Sequence, residues 1–139
     1  MTTATYIPAS TDRTEIAALI LRITNGVFFV LHAWLKIAIF TPAGTAGFFE
    51  SLGLPGFLAY LVIAAELFGG LALIAGFKTR LVALVLVPVL LGAIFTAHWN
   101  AGFFFSNEGG GWEYPAYWAV ALIVQALLGD GAYALGKRA

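Results

Sequence analysis

The sequence contains no cysteine, and among its 139 residues only seven side chains are basic and seven acidic. Without cysteine the chain forms no disulfide, runs no thiol exchange and holds no cysteine-ligated iron–sulfur cluster. Charged residues are 10% of the total and hydrophobic ones 61%, where a soluble domain has about 25% and about 45–50%. That shortage of charge excludes a disordered chain, a coiled coil and a surface-charged nucleic-acid binder. The net charge of zero adds no bulk attraction to nucleic acid or to acidic substrates. A water-soluble domain of this size cannot hide so much apolar surface, and the bilayer is the natural solvent.

What is present fits that solvent. A spanning helix needs about 20 mostly apolar residues, and four segments are read as spans: 16–39, 57–77, 81–97 and 114–128. The expected fold is an all-α integral membrane protein, a bundle of four transmembrane helices forming one membrane domain over residues 1–139. Residues 1–15 read as a polar tail whose Ser10-Thr11-Asp12 cluster leads to a helix N-cap. Arg22, His32 and Lys36 interrupt the first span too often for a cleaved signal peptide. Gly76 suits a helix end before the tight Lys78-Thr79-Arg80 turn, and Pro88 is expected to kink the third span. Ala65, Gly69, Ala72 and Gly76 form a small-residue stripe that lets another helix approach.

Charge orients the bundle. Arg13, Lys78, Arg80, Lys137 and Arg138 all fall on one side of a four-span chain, whereas residues 40–56 and 98–113 hold no Lys or Arg. The positive-inside rule then places both termini in the cytoplasm. Each outer loop is expected to carry a short interfacial segment. Phe48, Phe49 and Leu52 suit one side of a helix lying in the interface. Trp99, Phe103, Phe104, Phe105, Trp112 and Tyr114 surround a Gly109-Gly110-Gly111 hinge. They read either as an aromatic belt or as a lid that folds over the bundle mouth and stacks on a flat ligand.

A charge at the centre of a membrane helix costs about 2.5–3.5 kcal/mol on insertion scales and calls for a partner or a task. Arg22, Asn25, Phe29, His32 and Lys36 recur at helical spacing, so they share one face that must look into the bundle. Glu66 lies near the middle of the second span, and a buried Glu66–Arg22 ion pair is the expected structural role. Lys36 is expected to snorkel to the outer interface. His98 and Asn100 close the third span, Glu113 and Tyr114 open the fourth, and His32 and Lys36 approach the same mouth. That set suits binding and protonating a quinone. His98 and Glu113 exchange protons, His32, Lys36 and Tyr114 hold and orient the ligand, and Trp112 or Phe104 stacks on the ring. Ordinary hydrogen bonding of interfacial His and Tyr to headgroups remains open beside it. A b-type haem is disfavoured because His32 lies about a turn deeper than His98. No short His/Glu spacing supports a metal site.

Several of these segments resemble the DoxX family of small four-helix bacterial membrane proteins. They are Leu21-Arg22, Leu31-His32 with Lys36, 48–55 (FFESLGLP), 66–70 (ELFGG), 76–80 (GFKTR), His98 with 100–104 (NAGFF), and Glu113-Tyr114-Pro115. The resemblance implies an inner-membrane bundle linked to membrane oxidoreductase systems, among them thiosulfate:quinone oxidoreductase subunits and thiol-stress assemblies. Its polar positions fall on Arg22, His32, Lys36, Glu66, His98, Glu113 and Tyr114. In a chain without cysteine, a sulfur redox step falls to a partner or a bound cofactor. The expected function is a quinone-interacting subunit of a redox system. Its rivals are a non-catalytic scaffold that docks a soluble or membrane redox partner, and a small transporter, for which four short helices leave room only in a homo-oligomer.

Overall fold

The computed structural model describes residues 13–138, so the expected tail and its Ser10-Thr11-Asp12 cap lie outside the described residues. Among the described residues every regular element is helical. Helix α1 spans Arg13–Trp34 and continues through a π turn, Leu35–Ile39. Next come α2, Pro42–Ser51, and α3, Phe57–Ala75. Helix α4, Thr79–Ala93, runs on through a second π turn, Ile94–His98, and a 3-10 turn, Trp99–Ala101. Helix α5 covers Glu113–Leu128, and a 3-10 turn, Leu135–Arg138, follows.

Local chemistry explains the boundaries. Thr41 caps α2 by accepting a hydrogen bond from Gly44 N at 3.1 Å, with Pro42 in the first turn. Helix α3 stops two residues short of the expected Phe77. Gly76 takes a left-handed φ of 75°, and Phe77 N and Gly76 N donate to Ala72 O and Leu73 O. Pro88 sits inside α4 without ending it, and the irregularity appears instead at the π turn that follows.

Helix α1 packs on α3, α3 on α4, α4 on α5, and α5 returns to α1, so these four close a ring. Two glycines set the α1–α3 approach. A Cβ added at Gly26 would stand 2.7 Å from Gly70 O, and one at Gly70 would stand 2.8 Å from Gly26 O. The expected small-residue stripe does not contain this pair. Its Gly69 faces Leu86 of α4, where an added Cβ would meet that side chain at 3.0 Å.

The ring is polar inside and apolar outside. Arg22, Glu66 and Gln125 are buried, whereas Leu61, Phe68, Val85 and Leu127 are exposed. A soluble helix has the reverse pattern. Arg13–Ile39, Phe57–Ala75 and Thr79–Ala101 are long and apolar enough to cross a membrane. Helix α5 is apolar but has only 16 residues, a rise of about 24 Å against a hydrocarbon core of about 30 Å.

Candidate functional site

The inward face of α1 forms as the spacing implies. Arg22, Asn25 and Phe29 are buried, and His32 and Lys36 are partly buried at the other end of the helix. The structure divides this face between two regions. At the end that carries the basic turn, Arg22 Nη1 donates to Leu73 O and Ile74 O, both at 2.8 Å, and Nη2 donates to Ala132 O at 2.9 Å. The guanidinium therefore closes the C-terminus of α3, where free carbonyls and the helix dipole both favour a cation. Arg80 does the same for α5, donating from Nη1 to Ala126 O and Leu127 O.

The expected Arg22–Glu66 pair is not formed. Glu66 instead binds Lys36, whose Nζ lies 3.0 Å from Oε1 and 2.9 Å from Oε2. Lys36 accordingly turns into the bundle and does not snorkel outward; the two side chains are only 17% and 6% exposed. The physical reason is competition for Arg22. Two C-terminal carbonyls of α3 lie within its reach, Leu73 O with one backbone donor already and Ile74 O, and Glu66 stands well over a turn further along that helix. Thr45 of α2 supports Lys36, since its hydroxyl lies 3.4 Å from Lys36 O at the π turn. The sequence did hold a signal for this register. Matching Gly26 with Gly70 as the closest approach fixes the antiparallel offset of α1 and α3, and Glu66 then falls nearer Lys36 than Arg22.

Around this pair the loop end gathers the aromatic and imidazole groups. Tyr114 opens the inward face of α5 and packs, partly buried, against the apolar core. The His98 ring meets it edge-on, with centroids 5.8 Å apart. His98 Nδ1 lies 2.7 Å from Gly110 O. A carbonyl oxygen only accepts, so Nδ1 carries a proton and Nε2 is the ring nitrogen left to gain or lose one. His32 packs 5.0 Å from the Trp118 ring, one helical turn beyond Tyr114 on α5. The two histidines thus lie at different depths. Among the described residues no three His, Asp or Glu side chains are gathered to hold a metal ion. Trp118 also donates from Nε1 to Asn25 Oδ1 at 3.1 Å.

The loop between α4 and α5 is tied down by backbone hydrogen bonds. Gly111 N, Trp112 N and Glu113 N donate to Phe104 O, Gly102 O and Phe103 O. A Cβ on Gly111 would collide with Phe104 O, so close backbone approach is what requires glycine there. Trp112 stacks on Trp99 at 5.9 Å and takes the edge of Phe103 at 4.9 Å, so both neighbours are already in place before any ligand. Phe104 is 61% exposed. Among the described residues the Glu113 carboxylate has no hydrogen-bond partner, and its position one residue before Tyr114 turns it to another face of α5. Phe48 is exposed on α2, while Phe49 and Leu52 are partly buried.

Two clefts lie away from the cluster. One, of about 360 Å³, is bounded by Glu15, Arg80 and Asp130, and the other, of about 430 Å³, lies between α3 and α4.

Comparison with known proteins agrees with the segments quoted from the sequence. The DoxX family model matches residues 17–99. A Bacillus subtilis (strain 168) protein named "Putative oxidoreductase CatD" is 39% identical over 94 residues, covering 68% of this chain and 69% of that relative. The "Inner membrane protein YqjF" of Escherichia coli (strain K12) is 38% identical over 86 residues, or 62% of this chain and 65% of that relative. No solved structure matches the chain.

Proposed function

The chain belongs to the DoxX family, and from that premise we propose that it is a quinone-interacting subunit of a redox system in the bacterial inner membrane. One relative's name supplies the oxidoreductase and the other's the inner membrane. On this reading α1, α3, α4 and α5 all cross the bilayer with both termini in the cytoplasm, α5 reaching the interfaces through its flanking aromatic and glycine residues. The charge distribution supports that orientation, because the loop end between residues 37 and 57 and beyond residue 81 to 129 carries no Lys or Arg.

The Lys36–Glu66 pair, at the end of the bundle that also holds His98 and Tyr114, is the observation that carries the reading. A bound quinone supplies two-electron, two-proton carrier chemistry. Lys36 and Tyr114 are donors suited to its carbonyl oxygens. Glu66, poised against Lys36, and His98, through Nε2, are the groups that take up and return protons. His32, held against Trp118, orients the ring. Of the stacking residues, Phe104 is the more available, since Trp112 is engaged with Trp99 and Phe103. Glu113 serves as a proton exchanger at the surface of the mouth.

A scaffold reading has one observation in its favour, that both clefts lie away from the cluster. One experiment separates the two. Protein extracted with a mild detergent is analysed for co-purified quinone by mass spectrometry, and its tryptophan fluorescence is titrated with a short-chain quinone. Quenching that saturates, and weakens about tenfold (~1.4 kcal/mol) in Glu66→Gln, supports the quinone reading. Absence of both quinone and quenching sinks it and favours the scaffold.

A further inference from the structure

The cleft between α3 and α4 belongs to neither the polar cluster nor the helix-capping arginines. It has a volume of about 430 Å³ and is lined by Ala65, Gly69, Ala72, Phe77, Val85 and Leu86, among other apolar residues. The groove exists because α3 presents small residues there, and Leu86 of α4 packs onto Gly69 at its floor. It opens to the outside of the bundle, where Phe68 is 67% and Val85 57% exposed. Ala65 and Phe77 bracket it about three helical turns apart. It is therefore about 15 Å long, close to the depth of one leaflet's hydrocarbon.

Charge at one end identifies the occupant. The groove runs to the α3–α4 turn, where Lys78 follows Phe77 directly and its Nζ stands 5.6 Å from the Phe77 ring centroid. Among the described residues Lys78 has no acidic partner, and no Asp or Glu occurs between Glu66 and Glu108. Arg80, two residues on, keeps Nη1 on the α5 carbonyls. Lys78 holds its place with a left-handed φ of 45°, a conformation that costs a side-chain-bearing residue about 1 kcal/mol and favours glycine. A cation at the membrane surface with an acyl-sized slot beneath it matches an anionic phospholipid.

We propose that this groove binds one anionic phospholipid, with an acyl chain along Ala72 and Gly69 and the phosphate at Lys78. The phosphate end of the site lies at the opposite end of the bundle from the Lys36–Glu66 pair, its Ala65 end comes level with Glu66, and the proposal stands whether or not a quinone binds there.

The test is native mass spectrometry of the full chain released from nanodiscs of equal phosphatidylglycerol and phosphatidylcholine with matched acyl chains. The wild type should retain one phospholipid with phosphatidylglycerol enriched about fivefold, the effect of one basic side chain at an anionic surface. Lys78→Gln should keep the lipid and lose the enrichment. Ala72→Leu should fill the slot and lose the lipid. If Ala72→Leu does not fold, Val85→Phe fills the slot from the other wall at an exposed position. Equal retention of both lipids by the wild type, an enrichment that survives Lys78→Gln, or full lipid retention by the filled variant overturns the proposal. So does finding a lipoquinone in the slot.

Discussion

The two ends of the bundle handle buried polar groups in opposite ways. At the basic end the side chains bond to backbone. Arg22 closes α3 and holds Ala132, Arg80 closes α5, and Gln125 Nε2 joins Ala18 O to Gly129 O. At the loop end Lys36 bonds to the Glu66 side chain, while His98 keeps Nδ1 on Gly110 O and packs its ring on Tyr114. Both helices that deliver these cations and imidazoles do so through a π turn, Leu35–Ile39 for Lys36 and Ile94–His98 for His98. Such turns occur in helices mostly at functional positions. Both terminal nitrogens of Arg22 are bonded to carbonyls and its Nε is buried without a partner, so Arg22 is enclosed by backbone and serves as architecture. A charge that faces another side chain can exchange that partner.

Arg22→Met gives the largest expected effect and tests the first half of that contrast. The substitution leaves Ile74 O and Ala132 O without the donor that reaches them, and Leu73 O with only its bond from Gly76 N. Each buried unpaired carbonyl costs about 1–3 kcal/mol, partly offset because no charge need be desolvated. The expected loss is about 3 kcal/mol of stability, read by unfolding in mixed micelles. The protein that remains folded should show unchanged quinone quenching. Normal stability with abolished quenching would reverse the assignment of the two ends.

The second half is tested by a double-mutant cycle on Lys36→Met and Glu66→Gln. The pair is too buried for the 0–1 kcal/mol of a surface ion pair, so a coupling of about 1–3 kcal/mol is expected. Each single variant should also weaken quinone quenching, which Arg22→Met should not. A coupling near zero means that Lys36 and Glu66 act independently, and the loop end then loses its distinguishing feature.

The same contrast accounts for what the sequence revealed. The membrane solvent, three of the spanning helices and the inward face from Arg22 to Lys36 follow from hydropathy and the helical repeat, and those properties are local. The gathering of His98 and Tyr114 at one mouth follows from chain topology. The partners of Arg22, Glu66 and Lys36 do not follow, because they depend on the vertical offset of α1 against α3. That offset is set by Gly26 on Gly70 and by the path of α2, where Thr45 meets the π turn. One turn of error exchanges an architectural arginine for a lysine in the site. The order within the loop between α4 and α5 was equally hidden, because backbone hydrogen bonds such as Gly111 N to Phe104 O leave little trace in composition.

The smallest expected effect is at the seam between the regions. Trp118 touches both. Its indole donates to Asn25, one turn along α1 from Arg22, and its ring packs against His32, one turn from Lys36. Trp118→Phe keeps an aromatic ring against Phe29 and His32 and removes only the bond to Asn25 Oδ1. Hydrogen bonds between membrane helices average about 0.6 kcal/mol, because the separated helices find other partners, and a loss of that size is expected on unfolding. Quinone quenching should change little. A loss above about 2 kcal/mol, or weakened quenching alongside it, would mean that Trp118 couples the ends and that the bundle works as one polar unit. A small, isolated loss leaves them separable, with Phe29, fully buried among apolar side chains, as the divide between them.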